Sequence, residues 1–286
     1  MEPALHSWSF RNRFQEDDDF DIFRALDLTA EMGFGGIEIM SGKAGGPPGD
    51  FASDDMDYLH GVMEHAREVG VRVLSLATYN DFAYVRDEDW RRANIEYVKE
   101  WLRIAGELGV PNIRMLTGYY IEGEPRERLE ELTLAGIRRC APVAEEAGVN
   151  MALENHNSIF FSADQILWLI EQVGSERLTT CPDPSNWCRG FLTGEAAEGE
   201  REVVFQSAAK VAPLATQSHL KVCGVTDDGR LVGWEDDLER LIRTYRDAGY
   251  DGALAFESVA EGDLLAPLPQ ARRVVQDAID RVGGRP

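Results

Sequence analysis

The sequence predicts a (β/α)8 TIM barrel formed by a single domain, residues 1–286. Short apolar runs alternate with longer amphipathic runs eight times, and a polar residue follows each of the last four apolar runs. Such alternation is typical of parallel strands joined by crossover helices, and right-handed crossovers repeated in this way close a sheet into a barrel. A doubly wound open sheet is the alternative. Eight regular units favour closure, and barrel domains have about 250 residues.

Each strand and helix follows from the spacing of apolar residues. The predicted strands are Leu5–Ser9, Gly36–Met40, Val71–Ala77, Asn112–Leu116, Val149–Leu153, Leu178–Cys181, Ala215–Ser218 and Ala253–Phe256. The predicted helices, with apolar residues every three or four positions, are Phe20–Met32, Asp54–Val69, Glu88–Leu108, Pro125–Ala147, Ser162–Val173, Ala196–Ala212, Glu235–Ala248 and Leu265–Arg281. Several of these helices end at a glycine followed by an apolar residue, as at Gly109 and Gly148.

Composition and charge exclude several classes of protein. The formal net charge is -22 at pH 7, which repels nucleic acid and anionic lipid, since both bind clustered Lys and Arg. No leading apolar segment precedes a small-residue cleavage site, so we expect no secretory signal, and no run approaches the ~20 apolar residues that cross a bilayer. Its 4 cysteines form no CxxC pair, so we expect reduced thiols in a cytoplasmic protein. We therefore expect a small-molecule partner, with no nucleic acid and no membrane.

The loop Ser41–Asp50 is rich in glycine and proline. It contains the pair Gly42-Lys43, but the full spacing of a phosphate-binding P-loop is missing. Two interpretations stay open: a loop that shapes the mouth of the barrel, or a plain surface loop.

Polar residues stand at the ends of the last four predicted strands: Glu154, Asp183, His219 and Glu257. The C-terminal ends of barrel strands converge at one mouth, where catalysis takes place. Three carboxylates and one imidazole suit Mn²⁺, or Mg²⁺ or Co²⁺, better than a metal that prefers thiolates. Taken alone, Asp183 could cap a turn, and His219 could be a core histidine with its hydrogen bonds satisfied. Together they predict a shared metal site.

A second group of residues is predicted to surround that site. His156 follows Glu154 by two positions, so it is a candidate acid or base, with a loop histidine as the alternative. Lys221 follows His219 by two positions, and it would either bind a substrate oxygen or neutralise the acidic cluster. The remaining candidates for substrate binding are His6 and Trp8 on the first strand, Tyr79 after the third, and Asn186 and Trp187 after the sixth.

A resemblance to a known family rests on four short motifs. They are Leu153-Glu154-Asn155-His156, Asp183, His219-Leu220-Lys221, and Gly249-Tyr250-Asp251-Gly252 running into Phe256-Glu257. From Leu5 to Arg281 the chain resembles the sugar isomerase/epimerase superfamily of xylose isomerase-like TIM barrels. The resemblance implies that the four predicted ligands hold a divalent ion, as in the epimerases. Many members have a histidine three residues after the strand-6 aspartate, where this chain has Asn186.

The chemistry of such a site leads to the first function hypothesis. Moving a proton next to a carbonyl needs a base beside the carbon and a Lewis acid on the oxygens. Glu154 and Glu257 lie on strands that are not neighbours, so they could flank a small sugar as bases. The first hypothesis is a metal-dependent sugar isomerase or epimerase acting on a ketose or related polyol through an enediolate.

Other functions stay open. The second hypothesis is a metal-dependent lyase, either an inosose or dehydroshikimate dehydratase or a C-glycoside deglycosidase catalytic subunit, with His156 as base. An endonuclease IV-like phosphodiesterase would need three zinc ions, more histidines than the 5 present and a basic face for DNA. A barrel without activity that binds a sugar or a protein is a fourth class. The resemblance also leaves open a homo-oligomer or, for a deglycosidase, a small β-sandwich partner subunit.

Overall fold

The computed structural model describes residues 1–46, 49–156, 159–193 and 195–283. Its strands are β1 (Glu2–His6), β2 (Gly36–Gly42), β3 (Arg72–Thr78), β4 (Asn112–Met115), β5 (Asn150–Glu154), β6 (Leu178–Cys181), β7 (Ser218–Val222) and β8 (Ala253–Ser258). They form one 8-stranded parallel sheet in the order β6-β5-β4-β3-β2-β1-β8-β7. The two edges meet through a parallel bridge between Thr180 and Ala215. The predicted (β/α)8 TIM barrel is therefore confirmed.

Helices connect successive strands. They are α1 (Arg11–Glu16), α2 (Ile22–Glu31), α3 (Met56–Glu68), α4 (Glu88–Leu108), α5 (Arg126–Ala147), α6 (Ala163–Val173), α7 (Pro184–Trp187), α8 (Gly190–Thr193), α9 (Glu198–Val211), α10 (Leu238–Asp247) and α11 (Leu268–Val282), with 3-10 turns at Ser7–Phe10 and Ala212–Leu214. Helix α4 has the predicted bounds, and Gly109 ends it with φ 71°. Among the described residues no helix combines the length and apolarity that crossing a bilayer requires.

The first strand lies earlier in the chain than the sequence predicted. In place of the predicted strand Leu5–Ser9, strand β1 is Glu2–His6, and a 3-10 turn that contains Trp8 follows it. The chain turns here because the Ser7 hydroxyl accepts the Met40 N–H at 2.8 Å, and the Ser9 hydroxyl donates to the Phe256 carbonyl at 3.1 Å. Trp8 therefore lies at the rim of the barrel, beyond the strand.

The seventh strand was also misplaced. The predicted strand Ala215–Ser218 is β7, Ser218–Val222, so His219 and Lys221 lie within the strand. Successive side chains of a strand point to opposite faces. Leu220 and Val222, both 0% exposed, pack on the apolar face beneath the helices, and His219 and Lys221 point into the barrel. The register of β7 and β8 pairs Lys221 with Glu257.

The glycine-rich loop after β2 is only partly described, because Pro47 and Pro48 lie outside the described residues. Residues 43–46 form a turn closed by the Gly46 N–H on the Lys43 carbonyl at 3.0 Å. The Asp50 N–H returns to the Met40 carbonyl at 2.9 Å. A helix does not begin at Lys43, so the P-loop interpretation has no structural support.

Candidate active site

The four predicted ligands fall into two neighbouring groups that share His219. Ligand atoms of Glu154, Asp183 and His219 are all within 4.8 Å of one another, and so are those of His6, His219 and Glu257. His219 belongs to both groups. All five residues are buried, and Glu257 is the most exposed of them at 8%.

His219 is oriented by a carboxylate that the sequence did not identify. Its Nε2 lies 2.7 Å from Oε2 of Glu38 on β2. Its Nδ1 faces Oε1 of Glu257 at 3.3 Å and Oε1 of Glu154 at 3.6 Å. Burial alone would lower the pKa of His219, but the Cys181 thiol and the facing carboxylates raise it well above its usual value. Metal binding would release the proton on Nδ1, keep the Nε2 proton that is donated to Glu38, and direct the Nδ1 lone pair at the acidic cluster.

Glu154, the last residue of β5, is an ionised carboxylate held on two sides. The Asn186 amide donates to Oε1 at 3.2 Å, and Nε of Arg114 lies 3.3 Å from Oε2. Burial alone would raise the pKa of Glu154, yet Arg114 and His219 hold it well below its usual value. Glu257 is held in the same way, because His219 and Lys221 outweigh burial and depress its pKa.

Asp183 and Lys221 form a buried ion pair beside the cluster. Nζ of Lys221 donates to Oδ2 of Asp183, donates to Oδ1 of Asn186 at 2.8 Å, and lies 3.6 Å from Oε2 of Glu257. Burial alone would lower the pKa of Lys221, but Asp183 and the two glutamates raise it. Asn186, at the position where many superfamily members carry histidine, thus links Lys221 to Glu154.

His6, at the end of β1, is fully buried beside His219. Its Nδ1 accepts the Trp8 N–H at 3.0 Å, which places the proton of the neutral ring on Nε2. That nitrogen lies 3.6 Å from Oε2 of Glu38 and 3.7 Å from Oε1 of Glu257. Burial lowers the pKa of His6 to about 4, so the ring is neutral at pH 7.

A cavity of about 180 Å³ opens above these groups. It is lined by Trp8, Met40, Tyr79, Arg114, Leu116, His156, Lys221, Glu257 and Val259. This volume is below the range of about 300–1,000 Å³ that is typical of drug-sized ligands, so it suits a small molecule. Trp8 and Tyr79, which are 43% and 44% exposed, bring two aromatic rings to its lining.

Two other predicted residues have different surroundings. Nδ1 of His156 is buried without a hydrogen-bond partner in the described part of the chain. Trp187 does not line the cavity, and its indole N–H donates to the Phe161 carbonyl at 3.0 Å. A larger groove of about 470 Å³ lies at the N-terminal ends of β3 and β4, and its lining contains no acidic or histidine side chain among the described residues.

The charges of this cluster fit a divalent cation. Four buried carboxylates (Glu38, Glu154, Asp183 and Glu257) face two cations, Arg114 and Lys221. His6 is neutral, and His219 must give up one proton to bind a metal ion. In that state four negative charges against two positive leave two negative charges, and buried charge is costly unless it is balanced. Nδ1 of His219 and Oε2 of Glu154 are buried without hydrogen-bond partners among the described residues. The donor set of Glu154, Asp183, His219 and Glu257 therefore fits a hard divalent ion.

Sequence reasoning missed Glu38 and Arg114, although both carried a signal. Each is a charged residue inside a short apolar strand, within Gly36-Ile37-Glu38-Ile39 and Asn112-Ile113-Arg114-Met115. A charge at such a position is costly unless it is paired across the barrel. Each therefore indicated a buried partner on another strand, which is His219 for Glu38 and Glu154 for Arg114.

The chain belongs to the xylose isomerase-like TIM barrel family, whose model matches residues 26–281. The family expected from the sequence motifs is thereby confirmed. A curated relative, the C-glycoside deglycosidase alpha subunit of Microbacterium trichothecenolyticum, is 33% identical over 180 residues. That match covers 60% of this chain and 44% of the relative, so it spans less than half of the relative's length.

Solved structures of similar fold include an L-ribulose 3-epimerase, which has a TM-score of 0.75 and 18% identity over 99% of this chain and 96% of that one. A 3-keto-D-glucoside 4-epimerase from E. coli has a TM-score of 0.70 and 15% identity over 99% of each chain. At these identities the likeness concerns the fold.

Proposed function

We propose that this protein is a divalent-metal-dependent sugar isomerase or epimerase, acting on a small ketose or related polyol. The observation that carries the proposal is the position of His219 Nδ1, which lacks a hydrogen-bond partner in the described chain and faces Glu154 and Glu257 at 3.6 and 3.3 Å. Glu154, Asp183, His219 and Glu257 would hold the ion. A bound divalent ion supplies Lewis-acid polarisation of a carbonyl oxygen. We name Mn²⁺, with Mg²⁺ and Co²⁺ as alternatives, because the ligand set is rich in oxygen.

The residues of the cavity suit proton transfer at a carbon next to a carbonyl. Glu257 lines the cavity and is kept ionised, so it can accept a proton from the substrate. Glu154, on a strand that is not a neighbour of β8, can act on the other side of the substrate as the second base. Lys221, beside Glu257, and Trp8 and Tyr79, at the mouth, are proposed to bind and orient the sugar.

The charge balance favours a neutral substrate over a phosphorylated one. Lys221 already donates to Asp183 and Asn186 and lies beside Glu257. The remaining cation on the cavity wall is Arg114, which faces Glu154. A phosphate would bring about two further negative charges into a site whose charges a divalent ion already balances. An unphosphorylated sugar, cyclitol or glycoside fits better.

The second candidate is a metal-dependent lyase, and two observations favour it. The curated relative at 33% identity is a C-glycoside deglycosidase subunit, and His156 brings to the cavity wall a ring whose buried Nδ1 lacks a partner in the described chain. A neutral histidine there can remove the proton that starts an elimination. If the protein assembles as a deglycosidase does, this activity would involve a partner subunit.

The test is a substrate screen in D₂O with Mn²⁺-loaded protein, using ketohexoses, inososes and C-glycosides followed by NMR. The isomerase proposal expects an isomeric product that carries solvent deuterium at carbon, while a lyase would release a dehydrated sugar or a free aglycone. Chelator should abolish either reaction, and Mn²⁺ or Co²⁺ should restore it. A rate unchanged in chelator, or absence of turnover on every substrate, would overturn the metal-dependent mechanism.

A further inference from the structure

Arg114 is a buried cation on the inner wall of the barrel. It lies on β4 between β3 and β5, is 5% exposed, and lines the cavity. Its Nη1 donates to the Thr78 carbonyl at 2.8 Å, which fixes the guanidinium plane. Burial alone would lower the pKa of Arg114, but the facing glutamates raise it, so the positive charge is permanent.

The guanidinium has more N–H donors than there are good hydrogen-bond acceptors around it. An arginine offers five N–H donors and accepts none. Nη2 has His6 Nε2 at 3.5 Å and Met40 Sδ at 3.9 Å. The His6 nitrogen carries its own proton, because Nδ1 accepts the Trp8 N–H, and a thioether is a weak acceptor. Nε, although 3.3 Å from Glu154, has no well-aligned hydrogen bond among the described residues.

Lys221, the other cation on the cavity wall, is in a different situation. Its ammonium group donates to Asp183 and Asn186 and lies 3.6 Å from Oε2 of Glu257, so two of its three donors are hydrogen-bonded and the third faces a carboxylate. Of the two cations among the described residues that line the cavity, Arg114 therefore has more donors left for a ligand.

We propose that Arg114 is a catalytic residue that donates a hydrogen bond to the substrate's carbonyl oxygen. This inference rests on the proposed function and adds a residue to it. The C–H bond next to the carbonyl breaks, its proton goes to Glu257, and its electron pair forms a C=C bond while the carbonyl electrons move onto oxygen. The Arg114 donors stabilise the resulting negative charge. An isomerisation is completed when Glu257 returns the proton to the former carbonyl carbon, while the hydroxyl on the neighbouring carbon passes its proton to the enediolate oxygen and its electrons form the new carbonyl.

The position of Arg114 suits this role for two physical reasons. A donor that is already fixed, here by Thr78, costs little reorganisation when charge develops on the substrate. A guanidinium stays protonated and therefore stabilises the anion without giving up its own proton. The competing role is structural: Arg114 would serve only as counter-charge for Glu154 and Glu38, and it would not touch the substrate.

Binding measurements on Mn²⁺-loaded protein separate these roles, using wild type, Arg114→Met, Arg114→Lys and the surface control Glu131→Gln. The probes are D-tagatose, a neutral ketohexose, and threonohydroxamate, a planar mimic of an enediolate anion. We expect Arg114→Met to bind the hydroxamate about 10- to 100-fold more weakly, the worth of one hydrogen bond to a charged group. Tagatose affinity should fall less than about 3-fold, because catalytic contacts strengthen with the developing charge. Calorimetric Mn²⁺ affinity should match that of the control.

Several results would overturn the inference. Equal losses for both probes would show that Arg114 does not sense the developing charge. Loss of Mn²⁺ binding in a folded variant, with no selective effect on the hydroxamate, would assign the residue to the ion centre. If Arg114→Met does not fold, Arg114→Lys is the deciding variant, because it keeps the positive charge and loses the planar guanidinium. Unchanged hydroxamate affinity in Arg114→Lys would then contradict the proposed hydrogen bond from Arg114 to the substrate. A wild-type protein that turns over sugars but does not bind the hydroxamate would refute the inference alone, whereas a wild type without turnover or probe binding would refute the proposed function as well.

Discussion

Glu38 offers the sharpest test of the ion centre, because it contacts the proposed ligand His219 while lying outside the ligand set. Its Oε2 lies 2.7 Å from His219 Nε2, and the Ser75 hydroxyl donates to its Oε1 at 3.1 Å. In Glu38→Gln the amide oxygen can keep one of these bonds, but the amide nitrogen cannot accept the other. The substitution also removes one of the four buried negative charges around the site.

Loss of such a partner of a metal-binding histidine typically costs 10–100-fold in metal affinity. We therefore expect the Kd for Mn²⁺ to rise about 10- to 100-fold in Glu38→Gln, or about 1.4–2.7 kcal/mol. The assay is calorimetric titration of chelator-treated protein, with Glu131→Gln, an exposed change of the same type on α5, as control. Circular dichroism would verify that both variants are folded. Equal Mn²⁺ affinity in the two variants would refute the assignment of His219 Nδ1 as a ligand oriented by Glu38.

Three further outcomes follow from the geometry. In Glu257→Gln the proposed base is removed, and turnover at saturating Mn²⁺ should fall at least about 100-fold; a normal rate would exclude Glu257 as the base. Burial raises the pKa of Asp50 from 3.8 to about 6 in the folded protein, so its contribution to stability is present below pH 3.8 and lost as the pH rises through 6. Asp50→Asn should therefore increase the free energy of unfolding at pH 8 by at most about 3 kcal/mol and leave it unchanged near pH 3.5, as measured by urea titration, whereas equal effects at both pH values would contradict this. Trp8→Ala should weaken sugar binding by about 1 kcal/mol with little change in melting temperature, since the ring is 43% exposed; undiminished affinity would remove Trp8 from the binding surface.

The repeated strand-helix pattern was readable from sequence because local signals agreed with the tertiary fold. Ser162, the predicted start of a helix, is the N-cap of α6, where it forms a capping box with Gln165. Helix α4 begins after Asp87, whose side chain accepts the Trp90 N–H, and ends at Gly109. Caps and glycine ends are determined by nearby residues, so they do not depend on the rest of the barrel.

Strand β7 was displaced in the prediction because its inner face is polar. Ala215–Ser218 was taken as the strand and His219 as the residue beyond it, whereas β7 is Ser218–Val222. The inward residues of β7 are a histidine and a lysine, stabilised by Glu38 on β2 and by Asp183, which follows β6. Partners so distant in the chain cannot be read from the residues around β7. For Glu38 and Arg114 the sequence signalled a buried charge, but the partner of each was recognised only in three dimensions.

The contact between β6 and β7 closes the barrel and affects its local stability. Other neighbouring strands are paired within the sheet. Among the described residues, the contact between β6 and β7 consists of the bridge between Thr180 and Ala215, with N–H donation from Thr216 to the Thr180 carbonyl at 3.1 Å and from His219 to the Pro182 carbonyl at 3.0 Å. Asp183 and His219 lie on opposite sides of it. A cation bound by both residues would stabilise the contact between β6 and β7. Metal binding and local unfolding at this contact would then be thermodynamically linked. Mn²⁺ should therefore slow hydrogen exchange at the Thr216 and His219 amides, and exchange that is indifferent to Mn²⁺ would show that the two are independent.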